Sequence, residues 1–290
     1  MQKPTVIVSG KNGQLGNELQ DACVLFPQFN YRFFARDELD ISNTNAIEKI
    51  FRKYKPAYFI NTAAYTAVDK AETEQETAYL INAEASGNIA KICHQYNTTL
   101  IHISTDYVFD GNGNVPYKED HETSPVNYYG YSKWMGEQLA LENNPQTIVI
   151  RTSWVYSAYG HNFVKTMLRL MKDRKELNVV SDQVGSPTYA KDIAETILKI
   201  INDCQLTNAN CSPGIYHFSN DGIISWYDFA SAIREIKKFD CVVHPIPTSQ
   251  YPTPAKRPAY SAMNKDKISN TFGIVLKDWK QSLEECLSKL

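Results

Sequence analysis

The chain has 290 residues, 43% hydrophobic and 21% charged, with a formal net charge of −2. That length suits one large α/β domain, or a domain with a smaller lobe, and the balanced charge excludes nucleic acid as an expected partner. No apolar run is long enough to cross a bilayer, and no leader pattern precedes Val6-Ile7-Val8. A cytoplasmic protein without a membrane partner is expected. Its six cysteines (Cys23, Cys93, Cys204, Cys211, Cys241 and Cys286) show no C-x-x-C spacing, so they are expected to be reduced thiols, not a metal or redox motif.

Short apolar runs alternate with helical patterns. The sequence predicts a strand at Thr5–Ser9, a helix at Gln14–Phe26, a strand at Tyr31–Ala35 and a helix at Asn45–Tyr54. A strand at Tyr58–Asn61, one long helix at Glu74–Tyr96 and a strand at Thr99–Ser104 follow, then a helix at Tyr129–Glu142 and a strand at Thr147–Thr152. Buried strands alternating with helices predict an α/β fold with a Rossmann-like, doubly wound parallel sheet. Beyond Arg151 the rhythm weakens. Helices are expected at Asn162–Lys172, Lys191–Ile201, Phe229–Lys237 and Leu276–Leu290, with a surface turn at Asn208–Gly214. Ser225 and Asp228 have capping-box spacing, and the five prolines of Pro245–Pro258 bar a regular element throughout that stretch. The expected organisation is a dinucleotide-binding core over 1–152 and a smaller substrate lobe, mostly 153–290, interleaved with it.

Gly10-Lys11-Asn12-Gly13-Gln14-Leu15-Gly16 follows the first strand and opens the first helix. Glycine is needed there for the tight turn, for approach of a pyrophosphate and for helix–strand packing. The helix N-terminus offers free N–H groups to the anion. At the end of the second strand, Arg36 would accept the 2′-phosphate of NADPH, whereas Asp37 would hold the free ribose of NADH. With Lys11 adding charge, NADPH is favoured and NADH stays open. Asp40 and Ile41 are placed at the adenine, and Ala63, Ala64 and Tyr65 under the nicotinamide ribose.

Tyr129 and Lys133 are i and i+4, on one helix face. A ketone reductase needs a proton donor for the oxygen that gains charge as hydride arrives. A free tyrosine titrates near pH 10, and a neighbouring ammonium lowers that value. The third group is a hydroxyl at the end of a strand. Thr105 is the first choice and Ser104 the second, while His102 reads as a core residue.

Taken together, these motifs make the chain resemble the dTDP-4-dehydrorhamnose reductases, within the extended short-chain dehydrogenases. The match runs through Asn61–Asp69, Ser104–Gly111, Arg151–Tyr156, Asp182–Thr188 and Arg257–Ser261. The resemblance implies reduction of the C4 keto group of dTDP-4-dehydro-L-rhamnose, with Tyr129 as proton donor, Lys133 as its electrostatic partner and Thr105 bonding the carbonyl. It implies sugar contacts from Val68, Asp106, Tyr107 and Trp154, the last equally readable as a core aromatic. Arg257 would face the diphosphate, with Gln183 and Gly185 near the nucleotide. Some members bind Mg²⁺ between subunits. Glu18 matches one such position, but the stretch at Lys191-Asp192 lacks the acidic pair, so a metal and a homodimer stay open. A dehydratase would carry Asp-Glu after Thr105, and here Asp106 is followed by Tyr107. The alternatives are another nucleotide-sugar ketoreductase, or a non-catalytic subunit similar to the β subunit of methionine adenosyltransferase.

Overall fold

The structure, a computed structural model, describes residues 3–207 and 211–290. Its spine is a six-stranded sheet. Strands β1 (Thr5–Ser9), β2 (Asn30–Phe34), β3 (Tyr58–Asn61), β4 (Thr99–Thr105) and β5 (Thr147–Thr152) come from the first half. The second half returns one strand to this sheet, β10 (Gly214–His217), so the spatial order is β10-β5-β4-β3-β1-β2. Every pairing in the sheet is parallel. The order reverses between β1 and β3, and ligands of such sheets bind at the carboxyl ends of the strands at that reversal.

Alternating side chains explain why both faces are covered. Val6, Val8, Ile60, Ile101 and Ile148 pack on one side with residues of α1 (Gln14–Ala22) and α8 (Ala190–Thr207). Ile7, Phe59 and Leu100 point to the other side, against α2 (Thr44–Tyr54) and α5 (Ala85–Gln95), with α6 (Tyr128–Asn143) beside them. The second half also builds a separate core from α7 (Phe163–Asp173), α9 (Trp226–Lys237), α11 (Trp279–Ser288) and the paired strands β7 (Glu176–Val180) and β12 (Val242–Ile246). Shorter elements complete the chain: α3 (Val68–Ala71), α4 (Gln75–Tyr79), α10 (Asp266–Phe272), and strands β6 (Val155–Tyr156), β8 (Val184–Gly185), β9 (Thr188–Tyr189) and β11 (Ile224–Ser225).

Several expectations need correction. The long helix over Glu74–Tyr96 is split into α4 and α5 by a π-helical stretch, Leu80–Glu84. Asn82 causes the interruption to be useful: buried, it accepts from the Tyr65 N–H at 2.8 Å and donates to the Tyr65 carbonyl at 3.0 Å and to Ser132 at 2.9 Å. An extra residue per turn is what swings such a side chain into line. The first helix ends at Ala22 and continues as a 3₁₀ turn, Cys23–Leu25. The Ser225–Asp228 capping box is present and starts α9 at Trp226. Pro245 lies within β12, while the rest of the proline-rich stretch is turn and coil, with one 3₁₀ turn at Thr248–Gln250. The turn expected over Asn208–Gly214 begins in residues 208–210, which lie outside those described. Six reduced thiols were expected, but Cys204 and Cys211 form a disulfide, because α8 and the run into β10 bring their Cα atoms to 4.9 Å. No helix among the described residues is long and apolar enough to cross a membrane.

Candidate active site

The glycine loop sits where β1 meets α1, at the reversal of strand order. Gly10 has φ +80°, and a Cβ there would lie 2.5 Å from Thr62 Oγ1 and 2.9 Å from the Ala63 N. Only glycine lets the loops after β1 and β3 approach this closely. A Cβ on Gly16 would lie 2.2 Å from the Gly10 carbonyl, so this glycine seats the helix on its own loop. A groove of ≈ 1340 Å³ runs along these strand ends, lined by Gly10, Asn12, Gly13, Gln14, Leu15, Arg36, Asp40, Ile41, Ala63, Ala64, Thr105, Tyr129 and Lys133. Lys11 turns away to Glu38 at 3.4 Å, which also takes the Ala35 N–H. Tyr65 is held by Asn82 and Glu74, not by the groove. Asp40 accepts from Ser42's N–H and hydroxyl, which hold its carboxyl below the usual range.

The Tyr129–Lys133 face is positioned by close contacts of α6. Asn127 caps the helix, accepting from the Gly130 N–H at 2.8 Å. A Cβ on Gly130 would lie 2.2 Å from the Tyr107 carbonyl, so α6 presses directly on the turn after β4 and brings Tyr129 to Thr105. Below, Arg151 of β5 grips Glu137 of α6 through two hydrogen bonds, 2.9 and 2.7 Å, both side chains fully buried. Lys133 is buried and donates to the Ile103 carbonyl at 2.6 Å. Burial pulls its pKa down to about 8, opposed by the Glu137 charge. Burial likewise pushes Tyr129 up to about 12, with the Thr105 hydroxyl pulling it back and Asp106 adding to the rise. The lowering expected from Lys133 does not act here: its ammonium is turned to the Ile103 carbonyl, and the pull against burial comes from Thr105. His102 is fully buried, facing Asn61, and Tyr131 is partly exposed and stacked on Tyr79.

A second cavity of ≈ 870 Å³ opens in the lobe. Phe163, Met167, Leu170, Leu177 and Val179 give it an apolar floor, and Gln183, Gln250, Asp69 and Arg257 give it polar walls. Tyr107, Phe163 and Trp226 line both cavities, so the two form one cleft that meets beside Thr105 and Tyr129. Val68, Asp106, Tyr107 and Trp154 line the groove near that junction. Trp154 stacks on Trp226 with centroids 3.6 Å apart, and its φ of +48° is unusual for a bulky residue. Gly185 does not line either cavity; it lets Trp154 and Ser261 close behind the wall, since a Cβ would meet Ser261 Oγ at 2.6 Å. Arg257 forms a two-pronged ion pair with Asp69, both contacts 2.9 Å.

Asp69, Phe163 and Trp226 are the site residues the sequence reading missed. Asp69 stands in the quoted Asn61–Asp69 motif, and an acid needed to orient Arg257 was the available signal. The aromatics gave none, because their meeting depends on tertiary packing. Among the described residues, Glu18 and Asp192 are each engaged with other partners. Glu18 is buried, accepts from Ser157 at 2.5 Å, and is held above the usual range by burial. Asp192 is tied to Asn220, Ser282 and Lys277, and no cluster of three or more His, Cys, Asp or Glu residues suited to an ion occurs among the described residues.

A family model described as the RmlD substrate binding domain matches residues 4–290. A dTDP-4-dehydrorhamnose reductase of Aggregatibacter actinomycetemcomitans is 42% identical over 287 residues, covering 96% of this chain and 97% of that protein. The crystal structure of dTDP-4-dehydrorhamnose reductase from Bacillus anthracis in complex with NADP superposes with a TM-score of 0.94 at 38% identity, covering 100% of both chains. The corresponding structure from Clostridium acetobutylicum gives 0.93 at 39% identity, covering 98% of each. With nearly its whole length matched and the dinucleotide groove, the Thr105–Tyr129–Lys133 cluster and the lobe cavity in one cleft, this chain belongs to the RmlD substrate binding domain family.

Proposed function

We propose that this chain reduces the C4 keto group of dTDP-4-dehydro-L-rhamnose to dTDP-L-rhamnose, with NADPH as hydride donor. The observation that carries this reading is the meeting of the two cavities at Tyr107, beside Thr105 and Tyr129. A carbonyl at that junction faces a cofactor on one side and has room for a nucleotide diphosphate on the other. NADPH supplies the hydride. The Gly10–Gly16 loop and the N-terminus of α1 hold its pyrophosphate, Arg36 its 2′-phosphate, and Lys133 the ribose hydroxyls. Tyr129 gives the proton to the carbonyl oxygen, and the Thr105 hydroxyl hydrogen-bonds that oxygen. Val68, Asp106, Tyr107 and Trp154 surround the sugar. Arg257, already oriented by Asp69, takes the diphosphate, and Gln183 faces the nucleotide across the apolar floor. On this reading residues 1–152 are the cofactor core, 153–290 mostly the substrate lobe, and the reaction is cytoplasmic.

Incubating the protein with dTDP-4-dehydrorhamnose and each reduced nicotinamide, while following nicotinamide absorbance, tests the reading. Oxidation dependent on the sugar nucleotide is expected, faster with NADPH. A protein that binds NADPH but never oxidises it with this or any related keto-sugar nucleotide is a binding subunit, and the reading falls.

A further inference from the structure

We propose that Ser132 is a positioning residue for the reduction. Its hydroxyl carries a hydrogen-bonded strut from the loop after β3 to the backbone of Tyr129, and so sets the aim of the proton donor over the cofactor groove. The inference rests on the reduction proposed above and adds to it a residue that lines neither cavity. Ser132 is 0% exposed.

The strut is made of four hydrogen bonds. Asn82 accepts from the Tyr65 N–H at 2.8 Å and donates to the Tyr65 carbonyl at 3.0 Å. Its amide also donates to Ser132 Oγ at 2.9 Å, and Ser132 donates to the Tyr129 carbonyl at 2.8 Å. A primary amide has two N–H donors and a serine hydroxyl has one proton. Both Asn82 donors are used, and the Ser132 proton is committed to Tyr129. The direction of every bond is therefore fixed, and bonds in such a row strengthen one another. The strut starts at Tyr65, directly after Ala63 and Ala64, which line the groove. It ends on Tyr129, which lines the same groove.

A helical serine can bond back to a carbonyl one turn earlier simply to satisfy its own hydroxyl. Ser132 does more, because its oxygen also accepts from the π-helical stretch Leu80–Glu84. That stretch meets α6 backbone to backbone. A Cβ on Gly136 would lie 2.1 Å from the Asn82 carbonyl, which also takes the Ser86 hydroxyl at 2.8 Å. The other anchors of the start of α6 come from other elements. Asn127 donates to the Lys256 carbonyl at 2.8 Å, Glu72 takes the Tyr128 N–H at 2.8 Å, and Gly130 rests on the Tyr107 carbonyl. Ser132 ties the same turn to the cofactor side.

Proton transfer needs the tyrosine oxygen within hydrogen-bond reach of the carbonyl as hydride arrives. Donor and nicotinamide must therefore share one frame, and the strut makes the loop after β3 that frame. Without the Ser132 hydroxyl, α6 keeps its cap and Asn82 keeps Tyr65, but the link between them is gone. No contact to either ligand is removed, so chemistry should slow while binding holds.

The test is Ser132→Ala in the NADPH-loaded enzyme with dTDP-4-dehydrorhamnose. Alanine is the better helix former, and a urea midpoint checks the fold. Single-turnover hydride transfer should slow by roughly 10–10²-fold, as for a small misplacement of a reacting group, with the affinities for NADPH and dTDP-rhamnose unchanged. In a Tyr129→Phe background the same change should cost almost nothing, because the group it aims is gone. A purely structural loss would cost as much in both backgrounds. Asn82→Asp replaces the donors with acceptors and breaks the strut at its other end, so it should show the same pattern and gives a second reading if Ser132→Ala does not fold. An unchanged single-turnover rate in either folded variant, a loss that adds in full to that of Tyr129→Phe, or a matching loss of NADPH affinity would overturn the assignment. A wild-type protein that does not oxidise NADPH with the sugar overturns the proposed function itself, and the role of Ser132 with it.

Discussion

Glu137→Gln keeps the size of the side chain and removes one charge of the sealed pair beneath the catalytic helix. Arg151 and Glu137 are joined at 2.7 and 2.9 Å and are essentially inaccessible to water. Besides the new amide, the remaining guanidinium keeps a 3.5 Å contact to the Glu119 carbonyl and the face of Phe109 at 5.1 Å. Breaking a buried pair by removing one partner costs about 3–5 kcal/mol, and the residual amide contact puts this change near ~3 kcal/mol. With a urea m-value of about 3 kcal/mol/M, the unfolding midpoint should drop by ~1 M. The same change acts on Lys133. Burial already depresses its pKa to about 8, and Glu137 is the charge that opposes the fall. Without that charge the ammonium is lost at lower pH, so the alkaline loss of NADPH affinity should begin earlier. Urea unfolding and NADPH titration across pH 6–10 read the two effects. A midpoint lowered by less than about 0.3 M, with an unmoved affinity profile, would refute the reasoning. Replacing both partners, as Glu137→Leu with Arg151→Met, should restore most of the stability, because an apolar pair leaves no charge uncompensated.

Tyr129→Phe should lose roughly 10²–10⁴-fold in kcat with NADPH affinity retained, while Tyr131→Phe, whose ring lies on Tyr79, should be nearly silent in single-turnover hydride transfer. Arg257→Ala should weaken dTDP-rhamnose by about 1.5–3 kcal/mol and leave NADPH binding unchanged in parallel titrations. Arg36→Ala should cut the preference for NADPH over NADH in kcat/KM by on the order of tenfold, equivalent to about 1.4 kcal/mol; an unaltered ratio would remove Arg36 from the 2′-phosphate. Asp106 is raised from 3.8 to about 7 on folding. The folded chain therefore binds more protons than the unfolded one between those values, and stability falls as pH rises across that window. Asp106→Asn should remove that slope and, at pH 8, unfold at higher urea than wild type.

The parallel sheet was legible because its strands are short apolar runs cut off by polar turns, and because the glycine loop marks where the first one ends. Tyr129 and Lys133 were legible because helical spacing alone puts them on one face. The π-helical break at Leu80–Glu84 was not, since its cause is a buried hydrogen-bond pattern between Asn82 and a residue 17 positions away. Asp69 was hidden for a similar reason, as its partner Arg257 is 188 positions distant. The Thr105–Asp106 contact was in plain view as neighbours, but adjacency in a strand end does not reveal that burial would push the carboxyl up to about 7.

The first turn of α1 is tied to the opposite lobe at several points. Gln14 receives Asn162 at 2.8 Å and reaches the Val155 carbonyl at 3.4 Å, and one turn later Glu18 receives Ser157. Phe163, which floors the lobe cavity and borders the groove, follows Asn162 directly and begins α7. The glycine loop and the wall of the sugar cavity therefore form one mechanical body. Docking a dinucleotide on α1 stiffens the surface against which the second ligand closes, so the two ligands should bind with positive cooperativity and in a preferred order, cofactor first.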